Sequence, residues 1–346
     1  MSVQSTITPG ANPANSIRLA GITLPMWRKL WLIGFIVLVI AIPFIVKNFT
    51  IFQFTLAAIY AIAILGLNLL TGFNGQFSLG HSAFYALGAY TMAIMMDNWP
   101  IMAGDYEVTF LVGLFPVAIV CLVAGFLFGL PALRLDGLYL ALATFALAVA
   151  TPQLLKYNHF EEFTGGVQGI NLLKPESAIG FLNDDQFTYF YVMIVLGLLF
   201  LGAWNLIRGR TGRAMVAIRD NPLAAKAMGI NTALYKSGTF GVSAMYTGIA
   251  GALSALAIEY VAPDSFTFIL AVSFLVGLVV GGVASIPGAI VGGLFILFIP
   301  NFAEEVSKGL SWAVYGAFLI LAVYVMPTGA AGLVRIITHR LIRISR

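Results

Sequence analysis

The sequence predicts an all-α polytopic membrane protein, on the evidence of its composition, its long apolar runs and the placement of its charges. Hydrophobic residues make up 60% of the 346 residues and charged residues only 9%, whereas a soluble domain is about half apolar and about a quarter charged. In lipid, backbone groups must be satisfied within their own segment, so a long apolar run is a helix. Such a helix needs about 20 apolar residues to cross the hydrocarbon.

Ten apolar runs contain no lysine, arginine, aspartate or glutamate, and they predict about ten transmembrane helices. Several runs are short or interrupted by glycine, which leaves broken or re-entrant segments open. The runs cover residues 31–46, 52–70, 79–96, 108–130, 137–155, 188–206, 238–257, 266–282, 286–302 and 310–326.

The distribution of charge predicts that both termini are cytoplasmic. With the N-terminus inside, 14 of the 18 basic residues lie in cytoplasmic segments and 12 of the 14 acidic residues lie outside. Cytoplasmic loops are rich in lysine and arginine, so the ten-span arrangement follows the rule. Spans two to five and seven to ten would then have opposite orientations, as in inverted repeats. The net charge of +4 is spread between spans, which indicates orientation in a bilayer and not binding to nucleic acid.

These features divide the chain into three parts. Residues 1–28 form a cytoplasmic N-terminal segment, residues 29–330 a transmembrane domain, and residues 331–346 a basic cytoplasmic tail. The longest external loop covers residues 157–187, and the longest cytoplasmic loop covers residues 207–237. Cys121 lies in an apolar run as a small core residue, and no spacing of cysteine and histidine predicts a metal site.

An unusual polar stretch, "TGFNGQFSLGHSAFYALGAY", covers residues 71–90 at the cytoplasmic junction of the second and third spans. Non-helical backbone at membrane depth is tolerated only where protein or a water-filled cavity covers it. The stretch is therefore expected to face the protein interior. It either contributes to a path or gate, or forms a tight elbow whose polar groups satisfy one another. Its polar residues are Asn74, Gln76, Ser78, His81 and Ser82.

His81 has two interpretations. A histidine inside a membrane segment is a candidate proton relay. Alternatively, it is a buried polar residue that is hydrogen-bonded at a helix start, because buried polar groups usually have a partner.

The cytoplasmic loop predicts two short helices with an elbow at Asn221 and Pro222. Asparagine is a good N-cap and proline fits the first helical position, while Gly229 supplies a left-handed stop. On the second helix, one face carries Leu223, Ala224, Ala227 and Met228, and Lys226 points away. Two interpretations stay open: a docking element for a partner protein, or a helix held on the membrane surface by its arginines.

The loop sequence "GRAMVAIRDNPLAAKAMGIN" resembles the cytoplasmic coupling loop of ABC-transporter permeases for branched-chain amino acids. The stretch "GLNLLTGFNGQFSLGHSAFYALGAYTMAIM" is similar to a membrane segment of the same family. Three further stretches are also similar to segments of this family and follow in the family's order: "LPALRLDGLYLALATFALA", "TGGVQGI" and "VVGGVASIPGAIVGG". The resemblance covers residues 55–335 and is stronger to the M-type subunit than to its H-type partner.

This resemblance implies a permease subunit of an ATP-driven importer that moves leucine, isoleucine and valine across the bacterial inner membrane. The implied partners are two cytoplasmic ATP-binding subunits, a second related permease subunit and a periplasmic or extracellular substrate-binding protein. Apart from the resemblance, the polar residues within 74–82 stay candidates for the translocation path or gate, with the tight elbow as the alternative. The implied ATPase-coupling residues are Gly212, Arg213, Ala217, Arg219, Asp220, Asn221, Pro222, Ala225 and Gly229.

The residues themselves agree with this division of labour. The sequence has no G-x-x-x-x-G-K-[ST] motif, so it does not bind ATP through a P-loop. No cofactor, metal or catalytic residue is expected in this chain, and ATP would be hydrolysed on a partner.

Other functions stay open on sequence grounds. A permease of the same family could carry urea, another amide or another amino acid, and an ion-coupled secondary transporter would depend on His81. An intramembrane enzyme ranks last, because no pair of histidines or carboxylates lies in the spans.

Overall fold

The computed structural model describes residues 17–19, 22–24, 26–103, 106–135, 137–173, 182–306, 308, 310–325, 329–330 and 332. These residues divide into two compact units, residues 1–51 and 52–346. Most of the N-terminal segment 1–28 and nearly all of the basic tail 331–346 lie outside the described residues.

The first unit contains a short hairpin and one long helix. Strands β1 (Ile17–Leu19) and β2 (Ile22–Leu24) pair antiparallel, with Ile17 opposite Leu24. Helix α1 (Met26–Ile45) follows, and its apolar side chains Val37, Leu38 and Phe44 are exposed. Exposed apolar side chains such as these, in the described C-terminal part of α1, are typical of a helix surface that faces lipid.

The second unit is a helical bundle. Its long helices, of which the first begins in the preceding unit, are α2 (Asn48–Leu67), α3 (His81–Asn98), α5 (Leu114–Ala132), α6 (Leu138–Leu155), α8 (Asp184–Arg208), α11 (Thr232–Ile258), α12 (Phe268–Gly281), α13 (Gly288–Val306) and α14 (Ser311–Val325). A π-helical turn, Asn68–Phe73, extends α2. The shorter helices are α4 (Thr109–Val112), α7 (Glu161–Thr164), α9 (Arg210–Asp220) and α10 (Pro222–Ala227).

Short antiparallel strand pairs and 3₁₀ turns occur in the connections. The strand pairs are β3 (Met102–Ala103) with β4 (Tyr106–Glu107), and β5 (Ile170–Asn171) with β6 (Tyr260–Val261). The 3₁₀ turns cover Asn158–Phe160 and Pro263–Phe266. The pairing of β5 with β6 ties the described part of the loop 157–187 to the segment that follows α11.

The predicted class of polytopic all-α membrane protein agrees with this architecture. Each of the ten predicted apolar runs overlaps a long described helix. Six described segments are long and apolar enough to cross a bilayer: Asn48–Phe73, Thr109–Ala132, Leu138–Leu155, Asp184–Arg208, Thr232–Ile258 and Gly288–Glu305. Ten crossings, the cytoplasmic position of both termini and the inverted repeats stay predictions.

The core of the bundle is formed by α2, α3 and α11. In the most apolar windows of α2 and α11, 89% and 83% of residues are buried, against 28% in α5 and 22% in α8. The backbones of α3 and α11 touch because glycines face each other. A Cβ on Gly88 would overlap the Gly248 carbonyl oxygen, and one on Gly251 would overlap the Tyr85 carbonyl oxygen. Small residues permit this close packing between membrane helices.

Candidate functional site

A π-helical turn introduces polar chemistry into the buried helix α2. Asn68 is fully buried in this turn. Its Nδ2 donates a hydrogen bond to the Ser285 carbonyl at 2.7 Å, and its Oδ1 accepts one from the Ala284 N–H at 2.9 Å. Asn68 therefore clamps the turn between α12 and α13 to the end of α2. Sequence reasoning missed this residue, although an asparagine in an otherwise apolar span was the available signal.

The chain between the π-helical turn and α3 is an irregular, largely hydrogen-bonded loop whose polar side chains are buried, although Phe77 is exposed. Asn74 and Gln76 are 2% and 5% exposed, and Nδ2 of Asn74 donates to Oε1 of Gln76 at 2.8 Å. The backbone N–H of Gln76 donates to the Leu70 carbonyl, and the Thr71 hydroxyl donates to the Gln76 carbonyl. Local hydrogen bonds thus take the place of the regular hydrogen bonds of a helix. An irregular segment needs such bonds where its backbone is buried.

His81 bonds through both ring nitrogens. Its Nε2 lies 2.7 Å from the Ser243 hydroxyl, which itself donates to the Gly66 carbonyl at 2.6 Å. The Ser243 oxygen must therefore accept from Nε2–H, and in the neutral ring Nδ1 accepts from the Ser78 hydroxyl at 3.0 Å. Through Ser243, His81 thus connects α3 with α11 and α2, which agrees with the interpretation of a hydrogen-bonded polar residue.

His81, where the polar loop meets α3, contacts α11 well beyond the start of that helix. Ser243, the partner of His81, is 11 residues beyond Thr232, where α11 begins, which corresponds to about 16 Å along a helix. Two buried oxygens of the polar stretch, Oδ1 of Asn74 and Oγ of Ser82, have no hydrogen-bond partner among the described residues. The structure buries all five predicted polar residues, and their role in a path or gate stays a prediction.

Replacing His81 with asparagine is expected to lower stability but to leave the solute uptake that the resemblance implies largely intact per folded protein. The shorter side chain cannot span from Ser78 to Ser243, and a buried unpaired polar group costs about 1–3 kcal/mol. The measurement is uptake at several pH values, normalised to assembled protein. Complete loss of uptake in a normally assembled variant would instead support a proton relay.

The predicted elbow at Asn221 and Pro222 is confirmed. The Asn221 side chain caps α10 by accepting hydrogen bonds from the backbone N–H groups of Leu223 and Ala224 at 3.1 and 3.0 Å. Pro222 is the first residue of α10, and Gly229 has φ +82° just beyond its end. Local capping chemistry therefore sets where α10 begins and ends.

The residues of the elbow divide into packing residues and exposed residues. Gly212 and Ala225 are buried, and a Cβ on Gly212 would overlap the backbone of Ile207. By contrast, Leu223 and Met228 are 81% and 83% exposed. Gly212 and Ala225 thus position the elbow from within, whereas Leu223 and Met228 present an apolar surface.

Arg219 joins the elbow to the buried polar loop. Its Nη1 donates to the Gly72 carbonyl in the π-helical turn at 3.0 Å, and its Nε and Nη2 both donate to Oδ1 of Asp220 at 3.0 Å. A Cβ on Gly75, which has φ +73°, would lie 2.8 Å from Cγ of Arg219. The elbow and the polar loop, which are far apart in the sequence, are therefore in direct contact.

Comparisons with known proteins agree with the resemblance of the sequence. The family model "Branched-chain amino acid transport system / permease component" matches residues 49–323. The high-affinity branched-chain amino acid permease protein LivM of Escherichia coli (strain K12) is 30% identical over 334 residues, covering 89% of this chain and 76% of that protein. LivH of the same organism is 25% identical over 293 residues, covering 80% and 92%.

A relative matched over less of the chain is named for the transport of a sugar. The xylose transport permease protein XylH of Escherichia coli (strain K12) is 28% identical over 166 residues, which cover 46% of this chain and 42% of that protein. No solved structure matches the chain. With the family model matched over most of its length and a LivM protein 30% identical, this chain belongs to the permease components of branched-chain amino acid transport systems.

Proposed function

We propose that this chain is the LivM-type permease subunit of an ATP-driven importer that moves leucine, isoleucine and valine across the bacterial inner membrane. The single observation that carries the proposal is the elbow: it presents an exposed apolar surface at Leu223 and Met228 and holds the buried polar loop through Arg219. A membrane subunit driven by a separate motor needs such a pair of contacts, one to the motor and one to the membrane core.

The proposed partners follow from the division of labour. Two cytoplasmic ATP-binding subunits hydrolyse ATP, since this sequence has no P-loop motif. A second, related permease subunit completes the membrane part, in line with the likeness of this chain to both LivM and LivH proteins. A periplasmic or extracellular binding protein delivers the amino acid.

The elbow is suited to transmit force because it is short, capped and packed. Gly212, Met215 and Ile218 are buried and fix α9. Covering Leu223 and Met228 by a partner would contribute about 1.5–3 kcal/mol for each side chain that becomes fully buried. A motor subunit that moves α10 would therefore move the π-helical turn through Arg219.

Reconstitution into liposomes tests this function. The complex with its ATP-binding subunits and binding protein is expected to accumulate labelled leucine when ATP is supplied, and valine and isoleucine are expected to compete. Competition by urea alone would indicate the alternative cargo. Accumulation by the isolated chain under an ion gradient, without any ATPase, would overturn the proposal in favour of a secondary transporter.

The double variant Leu223→Asp/Met228→Asp is expected to lose its ATP-binding subunits. Burying a charge in an apolar contact is costly unless the charge is paired. Co-purification and uptake should both fall to background, while insertion of the chain into the membrane is unchanged.

Lys226→Asp is the matched control, because it places an acidic residue on the same short helix away from the apolar face. This control should retain co-purification and uptake. Normal ATPase binding by the double variant would show that the partner does not dock on Leu223 and Met228.

A further inference from the structure

A cavity of about 90 Å³ lies between α2, α3, α11 and α12. It lies near the end of α11 that is distant from the elbow: Ser254 is 22 residues beyond Thr232, or about 33 Å along the helix. We call it the distal cavity, and its wall includes Tyr60, Tyr85, Ser254, Ala255, Phe266 and Leu270.

Among the described residues, the wall of the distal cavity combines apolar surface with hydroxyl groups and includes no charged side chain. Aromatic packing makes one side rigid: the ring centroids of Tyr85 and Phe266 are 6.1 Å apart, and those of Tyr85 and Phe274 are 5.4 Å apart. The wall thus offers hydrophobic contact and uncharged hydrogen-bonding groups, which suits an amphipathic solute better than an ion.

The Tyr85 hydroxyl is the polar atom that most needs a partner in the distal cavity. The residue is 2% exposed, and its hydroxyl has no hydrogen-bond partner of acceptable geometry among the described residues, although Ser254 approaches it. Buried polar groups are normally paired. A polar atom of a solute in the cavity would supply the missing bond.

The size of the distal cavity restricts what enters it. An engineered apolar cavity of about 150 Å³ binds benzene, and the distal cavity is smaller at about 90 Å³. It therefore accommodates a compact aliphatic group better than an aromatic ring. Two other wall residues, Ile258 and Tyr260, are 44% and 42% exposed, so the cavity lies next to the protein surface.

We propose that the distal cavity is a transient cargo subsite for a small aliphatic amino acid. The branched side chain packs against Ala255, Phe266 and Leu270, and a polar atom of the amino acid meets the hydroxyls of Tyr85 and Ser254. The absence of a charged wall residue makes the subsite weak, as passage requires. This inference rests on the proposed function. It adds that the volume of the distal cavity limits the size of the side chain that the transporter accepts.

The test uses the reconstituted complex at saturating binding protein and leucine, because the binding protein would otherwise dominate the apparent affinity. Ala255→Leu fills the cavity and is expected to lower the maximal rate of leucine uptake relative to valine by about tenfold, the effect of about one methylene group in a tight pocket. ATP hydrolysis and assembly should be unchanged. Ala233→Leu, an exposed change on the same helix, is the control.

A second variant keeps the proposal testable if Ala255→Leu does not assemble. Tyr85→Phe keeps the ring and removes the hydroxyl, and it is expected to slow all aliphatic cargoes several-fold without altering the leucine-to-valine ratio. Wild-type rates and ratio in an assembled Ala255→Leu or Tyr85→Phe complex would overturn the subsite and leave the importer intact. If the wild-type complex imports no aliphatic amino acid, the proposed function fails, and the subsite fails with it.

Discussion

Replacing Gly88 with alanine is expected to reduce strongly the amount of correctly folded protein in the membrane. The added methyl group would overlap the Gly248 carbonyl oxygen of α11, and the backbone of a packed helix cannot yield as a flexible side chain can. Overpacking of this kind costs about 1–3 kcal/mol and occasionally more. The change strikes the contact between the most buried helices, so we expect a large loss of yield and a lower unfolding temperature in detergent.

Gly238→Ala is the matched control for this prediction. Gly238 lies on α11, and a Cβ there meets no heavy atom within 4 Å. Because alanine is a better helix former than glycine by about 1 kcal/mol, the control should be as stable as the natural protein or more so. Equal stability of the two variants would contradict the packing of α3 on α11 through Gly88.

Replacing Arg219 with alanine is expected to uncouple ATP hydrolysis from uptake. The guanidinium connects Asp220 on the elbow with the Gly72 carbonyl in the π-helical turn, and Asn68 connects that turn with Ala284 and Ser285. Without the guanidinium, movement of α10 would no longer be passed to the polar loop. The number of amino acids imported per ATP hydrolysed should fall about tenfold. A factor of this size lies within the range of about 5–150 that is typical of coupling between two sites.

Two further variants distinguish the connecting role of Arg219 from an effect of its positive charge alone. Arg219→Lys keeps the charge but lacks the planar fork that serves two acceptors at once, so it should restore only part of the coupling. Arg210→Ala removes a cation from the exposed start of α9 and should leave coupling unchanged. Unaltered stoichiometry of transport in Arg219→Ala would rule out Arg219 as the connection.

Much of the architecture could be predicted because its signals are local. Apolar runs of helical length marked the long helices, and the Asn221–Pro222 pair followed by Gly229 marked the start and stop of α10. The resemblance to permeases likewise rested on contiguous stretches of sequence. The polar stretch after α2 is unusual in sequence, but the neighbouring residues do not indicate which of its polar groups form hydrogen bonds.

The remaining features depend on residues that are distant in the chain. Asn68 bonds to a residue 217 positions away, and Arg219 bonds to one 147 positions away. No pattern of hydropathy or spacing encodes such a pair, because the sequence around one residue does not indicate which distant residue will be its partner. The same holds for the distal cavity, whose wall comes from four helices and the segment between α11 and α12.

By itself, the sequence determined the membrane class, the positions of the helices, the capped elbow and the family, since composition, periodicity and capping act within a few residues. Only the tertiary structure decided that the elbow touches the buried polar loop, that His81 bridges three helices and that Gly88 meets Gly248. These contacts arise when side-chain volumes and hydrogen-bonding groups from separate helices are brought together, and both close packing and the pairing of buried polar groups select which of them meet.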